Sequence, residues 1–107
     1  MLKVSAVAAP VFAALGDTTR LELLSRLSDG KQHSIVQLAA GLDLTRQGVT
    51  KHLQVLKQAG VVSCQRIGRE SRVEIRPGPI EKARDYLTRA SAQWDEAIDR
   101  LRAAVEE

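Results

Sequence analysis

Little in this chain is aromatic. One Phe, one Trp and one Tyr make up 3% of 107 residues, so the side chains that usually fill a β-sandwich are missing. Leu, Ala, Arg and Glu are plentiful instead, and that mixture favours helix. A single cysteine excludes an internal disulfide and a four-cysteine zinc site, and it fits a reducing cytoplasm. No apolar run approaches the roughly 18 to 20 residues that a membrane helix needs, so no span is expected. The opening segment, Lys3 to Leu15, has the outline of a signal peptide, but its positive region is one residue and Pro10 interrupts the apolar stretch. Val4, Val7, Val11 and Leu15, with Ala8 and Phe12, recur at helical spacing and read as a core helix. Motifs of catalysis are missing as well: there is no Walker loop, no GxSxG, no HExxH and no dinucleotide fingerprint. Two histidines and one cysteine are too few to assemble a nucleophile and its base, so an enzyme is not expected.

What is present suffices for one folded domain over residues 1–107. Hydrophobic residues make up 44% and charged residues 27%, the balance of a globular domain, and the length supports one core. The net charge of +3 is unevenly spread. Residues 1–30 are neutral, residues 31–76 carry eight basic against three acidic groups, and residues 77–107 carry five against seven. A basic middle segment is what attraction to a polyanion requires, because neutralised phosphates release their counterions.

Periodicity and punctuation divide the chain. A first helix ends near Leu15 at Gly16, and Asp17 or Thr19 opens a second, with Thr19 and Glu22 at capping-box spacing. Leu21, Leu24 and Leu27, helped by Leu23, give the second helix an apolar side. A short third helix runs from about Ser34 to Ala40 with Ile35, Leu38 and Ala39 inward. After Gly41-Leu42-Asp43-Leu44, Thr45 caps a helix to about Ala59 whose Val49, Leu53 and Leu56 share one face. Its opposite face, from Arg46 through Gln58, has no carboxylate. Gly60 stops it, and two β-rich runs, Val61–Arg66 and Ser71–Arg76, read as a hairpin with Ile67-Gly68-Arg69-Glu70 at its tip. Pro77-Gly78-Pro79 then breaks the pattern, and Pro79 starts a terminal helix over about 79–105. There Ile80, Ala83, Leu87, Ala90, Trp94, Ala97, Leu101 and Ala104 alternate spacings of three and four, a heptad seam that asks for a partner. Ile98 and Val105 widen the stripe, which also permits the helix to lie back across its own domain.

The expected fold class is therefore mainly α with a small β-hairpin wing, a winged helix-turn-helix spanning about 34–59 with the wing at 61–76. In such a unit the second helix enters the major groove of double-stranded DNA, where base edges are distinguishable. Thr45 and Thr50 would reach phosphates or bases, Arg46 suits guanine bidentately, Gln47 suits adenine, and Lys51 and His52 suit backbone phosphates. Gly48 has no side chain to read anything and would allow close approach, to DNA or to the preceding helix.

The stretches FAALGDTTRLELLSRL and QLAAGLDLTRQGVTKHLQVLKQAGVV and the wing RIGRESRVEI together resemble the ArsR-type family of bacterial winged helix-turn-helix repressors. The resemblance covers roughly residues 10–107. It implies a homodimer that binds an imperfect operator palindrome and is released by an inducer, with Thr45, Arg46, Gln47, Thr50, Lys51 and His52 on the recognition helix. It also implies that Arg69, with Arg66 and Arg72, approaches the adjacent minor groove. The tail ARDYLTRASAQWDEAIDRL is similar to the branch whose last helix carries a Trp and pairs across the dimer, which points to Val7, Val11, Leu87, Trp94, Ile98 and Leu101 as dimerisation residues. Departures from the family are equally informative. The segment Val36-Gln37-Leu38-Ala39-Ala40 lacks the Cys-x-Cys of metal sensors, and no His follows His52, so no metal and no cofactor are expected and the inducer is unknown. His33, His52 and Cys64 lack the paired spacing of a zinc site. Cys64 is expected to line the hairpin as a small apolar residue, with a thiol sensor as the alternative. A module that keeps the winged fold but titrates another regulator through the Trp94 helix is a second alternative.

Overall fold

The computed structural model describes residues 6–106; Val4 of the first apolar pattern lies outside them. Helix α1 (Ala8–Leu15) buries Ala8, Val11 and Ala14 and ends at Gly16, whose N–H donates to the Ala13 carbonyl. Val11 is completely buried within its own chain, so it serves that chain's core and not a face between subunits. Val7 stays 36% exposed.

Helix α2 (Thr18–Arg26) is capped by Asp17, whose carboxylate accepts the Arg20 N–H at 3.0 Å. The Thr19–Glu22 box does not form, because Thr19 already lies inside the helix and cannot adopt the extended backbone of a cap. Leu23 and Leu27, four apart, are the buried pair, and Leu21 is 51% exposed. The apolar side is therefore rotated from the one that Leu21, Leu24 and Leu27 suggested. Beyond the turn, strand β1 (His33–Ser34) has no counterpart in the sequence reading; two residues are too short for any period to register.

Helix α3 (Ile35–Ala39) is opened by a capping box at Ser34 and Gln37. The Ser34 hydroxyl accepts the Gln37 N–H at 3.1 Å and the Gln37 side chain accepts the Ser34 N–H at 2.9 Å. Leu38 is buried, with Ile35 and Ala39 half-buried beside it. Helix α4 (Arg46–Gln58) is capped by Thr45, which accepts the Gly48 N–H at 3.0 Å, and buries Val49, Leu53 and Leu56. Its end is a Schellman motif: Gly60, at φ +80°, donates to the Lys57 carbonyl and Val61 to the Leu56 carbonyl.

Strands β2 (Val62–Ile67) and β3 (Glu70–Ile75) pair antiparallel from Val62–Ile75 to Ile67–Glu70, so the connection is a two-residue turn, Gly68-Arg69, shorter than the four-residue tip that the sequence suggested. Gly68 takes φ +62° at the first central position, as a type II′ hairpin demands. β1 pairs with the far edge of β3, giving the order β1-β3-β2.

Helix α5 (Pro77–Glu106) starts two residues before Pro79. Both prolines fit its first turn, where backbone donors have no partner inside the helix. At 1.5 Å per residue it is about 45 Å long. Ala83 and Ala90 are buried, and Tyr86 meets Phe12 of α1 with ring centroids 5.9 Å apart. Beyond Ala90 the helix runs out of neighbours: no later described residue is buried, and the molecule measures 65 × 26 × 21 Å. Among the described residues no helix is long and apolar enough to cross a membrane.

Candidate nucleic-acid interface

The buried stripe of α4 fixes what its other side presents. With Val49, Leu53 and Leu56 inward, Arg46, Gln47, Lys51, Gln54, Lys57 and Gln58 are all exposed, and none of them is acidic. The two threonines are partly occupied by the helix itself. Thr45 Oγ1 is the cap acceptor, and the Thr50 hydroxyl donates to the Arg46 carbonyl at 2.9 Å. Thr50 is thus left as an acceptor toward a ligand, suited to a base amino group and not to a phosphate. A Cβ on Gly48 would lie 3.4 Å from Thr45 Oγ1 and 3.8 Å from Leu44, so that glycine faces the turn and its cap.

His52 is a correction to the expected outward row. Three residues after Val49, it sits beside the core stripe, and its Nδ1 lies 3.3 Å from Arg20 Nη1 and 3.8 Å from Asp17 Oδ1. Because a guanidinium can only donate, Nδ1 accepts and the proton of the neutral ring is on Nε2. Arg20 also donates through Nε to the Ala14 carbonyl at the end of α1. One arginine thereby ties α1, α2 and α4 together, and His52 is a strut of that joint. The Asp17 carboxyl is held below its ordinary pKa, first by the Arg20 N–H and then by the nearby Arg20 guanidinium.

Arg26, further along α2, braces the turn between α3 and α4. Its guanidinium donates to the Leu38 carbonyl at 3.0 Å and to the Ala40 carbonyl, both at the end of α3, and its Nε pairs with Glu22 at 3.2 Å. Gly41 follows at φ +77° and leads into the turn. No sequence spacing marks this brace, since the carbonyls that Arg26 meets lie 12 and 14 residues away.

The three wing arginines do not act as one group. Side chains opposite one another in a sheet share a face, and the register places Arg66 with Ser71, on the side of Val62 and Val73 that packs toward α4. Arg72, opposite Gln65 and Ser34, projects from the other side, where it pairs with Glu70 at 3.2 Å while its Nε is buried without a partner. Arg69 occupies the turn and is exposed. Cys64 is exposed as well, and does not fill a buried position in the hairpin. It borders a cleft of about 160 Å³ with Leu53 and Lys57. Ile35, which the sequence placed only in the core, and Ser71, which it placed only in the hairpin, line the cleft along α4 together with Arg46 and Gln47. The packing of α3 against α4 and β3 brings them there, and no local signal marks it.

On α5 the seam divides. Ala83 and Ala90 pack inward, while Leu87, Trp94, Ile98 and Leu101 are 42%, 53%, 44% and 66% exposed. Among the described residues no group of three or more His, Cys, Asp or Glu is placed to hold a metal ion.

Residues 15–65, which span α2 through most of β2, match a family described as a helix-turn-helix domain. The solved structure of an ArsR-like transcriptional regulator from Rhodococcus sp. RHA1 superposes with a TM-score of 0.73 at 36% identity, covering 92% of each chain. A crystal structure of another ArsR family transcriptional regulator gives a TM-score of 0.78 at 26% identity, over 89% of this chain and 97% of that one. YuzN of Bacillus subtilis, an HTH-type transcriptional regulator, is 38% identical over 65 residues, 55% of this chain and 71% of its own. These relatives are regulators of transcription and not enzymes. With a shared fold over nearly the whole length of both chains at 36% identity, the chain belongs to the ArsR family of winged helix-turn-helix transcriptional regulators.

Proposed function

We propose that this protein is a homodimeric repressor that lays α4 in the major groove of an operator half-site, brings the tip of its wing to the flanking minor groove, and is released by a signal other than a metal. The observation that carries the DNA-binding mode is the exposed face of α4, on which Arg46, Gln47, Lys51, Gln54 and Lys57 stand without a carboxylate among them. Its polar residues are those that can discriminate base edges, and its charges are those that neutralise phosphates. Gln47 and the acceptor oxygen of Thr50 are its base-facing groups, Lys51 serves backbone phosphates, and Thr45 and Arg46 stand at the end nearest the wing. Arg69 is the minor-groove residue of the tip. The whole chain acts as one domain in the cytoplasm, with α5 as its dimerisation element through Leu87, Trp94, Ile98 and Leu101, supported by Val7. Two copies related by a two-fold axis would read the two halves of a palindrome.

The test is fluorescence anisotropy of the purified protein on a duplex taken from immediately upstream of its own gene, at several salt concentrations and against scrambled competitor. Competitor-resistant binding with a steep salt slope and two chains per site is the expected result. The exposed Trp94 face favours a second reading, a module that docks on another regulator. Weak binding, equal on scrambled DNA and accompanied by salt-insensitive association with a protein partner, would put that reading first.

A further inference from the structure

The outer side of the helix-turn-helix is not a convex ridge. A cleft of about 660 Å³ runs along α4 past Arg46, Gln47, Thr50 and Gln54, and a second of about 450 Å³ continues from Arg46 to Arg66 and Arg69. Ile35 and Ser71 line both, so the two form one trough between α4 and the wing. Of the α4 residues only Arg46 lines both parts; Gln47, Thr50 and Lys51 line the first alone. Arg46, Arg66 and Arg69 make no ion pair among the described residues, and the one carboxylate among those lining the trough, Glu70, is already paired with Arg72. Three guanidinium groups facing one groove without counter-charge repel one another and favour an anion there.

Duplex geometry identifies that anion. Adjoining major and minor grooves are separated by a single phosphodiester strand, so a protein with a helix in one and a wing in the other must straddle that strand. We propose that the wing end of the trough, where Arg46 meets Arg66 and Arg69, seats this strand and that Arg46 and Arg66 hold its phosphates, which makes Arg46 a phosphate-binding residue and leaves base discrimination to Gln47, Thr50 and Gln54 along the rest of α4. The assignment rests on the DNA-binding reading above and goes beyond it by separating the residues that position the duplex from those that read it. Guanidinium groups match phosphate oxygens bidentately as well as they match guanine, so residue type does not decide between the two, whereas the place of Arg46 at the wing end of the trough, beside Arg66 and Arg69, does.

The experiment compares full-length wild type with Arg46→Gln, Arg66→Gln and Gln47→Ala on the upstream duplex and on scrambled duplex across a salt series, with thermal melts confirming that each exposed substitution leaves the fold intact. Arg46→Gln and Arg66→Gln are expected to weaken both duplexes by the same factor, on the order of tenfold near 0.1 M salt, and to make the slope of log affinity against log salt shallower by about 0.9 each. Gln47→Ala should lower only the ratio of specific to scrambled binding. A single neutral methylphosphonate linkage scanned along the strand between the two grooves should weaken wild type at one or two positions and cost Arg46→Gln nothing further there. An Arg46→Gln protein that binds scrambled DNA as wild type does, with an unchanged slope and a lost sequence preference, would overturn the assignment while leaving DNA binding intact. A wild-type protein that binds neither duplex would overturn the DNA-binding reading, and this assignment with it.

Discussion

Replacing Leu101 tests the proposed dimer most directly. Fully burying a leucine contributes about 1.5 to 3 kcal/mol, and Leu101 is 66% exposed in the single chain, so roughly 1 to 2 kcal/mol remains for a partner to gain. A two-fold axis applies each substitution twice, and Leu101→Ala should therefore cost the dimer about 2 to 4 kcal/mol, roughly 30- to 700-fold in its dissociation constant. Leu101→Asp should cost more, because the two-fold axis would bring two carboxylates into an apolar seam and desolvate both. The loss should also be visible in the single chain. From residue 91 to 106 no residue of α5 is buried in the single chain, and an isolated helix of that length is marginal in water, so the monomeric variant should lose helical circular dichroism and amide protection there while α1–α4 keep theirs. Light scattering across a dilution series reads the equilibrium directly. A Leu101→Asp protein that remains fully dimeric at micromolar concentration would refute the interface and, with it, the reason given for the exposed seam.

Three further outcomes follow from contacts inside the chain. Leu53→Ala removes a side chain that is 2% exposed between α4 and the rest of the core and should cost about 2 to 5 kcal/mol in urea unfolding; a loss below 1 kcal/mol would show that α4 is not packed as described. Arg26→Ala leaves the Leu38 and Ala40 carbonyls without their donor and should cost about 1 to 3 kcal/mol, with DNA affinity falling further than the folded fraction because the helix-turn-helix turn is loosened. Acid should destabilise through Asp17 and Asp29. Asp17 is held down first by the Arg20 N–H, and Asp29 by the Lys31 N–H and then by the His33 side chain at 2.9 Å. Since both carboxyls ionise more readily folded than unfolded, their contribution is fully present above about pH 4 and is lost as pH falls through their lowered values. Asp17→Asn should flatten stability against pH in that window, and a wild type whose unfolding midpoint does not move between pH 5 and pH 3 would contradict the caps.

Local chemistry made much of this protein legible from its residues alone. Thr45, Gly60 and the Val49-Leu53-Leu56 stripe define α4 because capping, left-handed termination and helical period all act within a few residues, and they agree with one another. The polar row from Arg46 to Gln58 follows from the same period, and so does the seam of α5, whose repeats have no use inside so small a core. The ordered motifs together carried the family. Tertiary structure decided what sequence spacing cannot encode. Strand β1 exists only because β3 offers it an edge. Arg66 and Arg72 lie on opposite sides of the hairpin because the register of β2 on β3 sets which way each points, and that register depends on the Gly68-Arg69 turn and on which valines the core accepts. His52 is held beside the core by Arg20, 32 residues away, and of the two places that the sequence allowed Val11, its own core and a face between subunits, packing chose the core. Contacts between residues far apart in the chain depend on how helices stack, and stacking is a property of the whole core and not of any one segment.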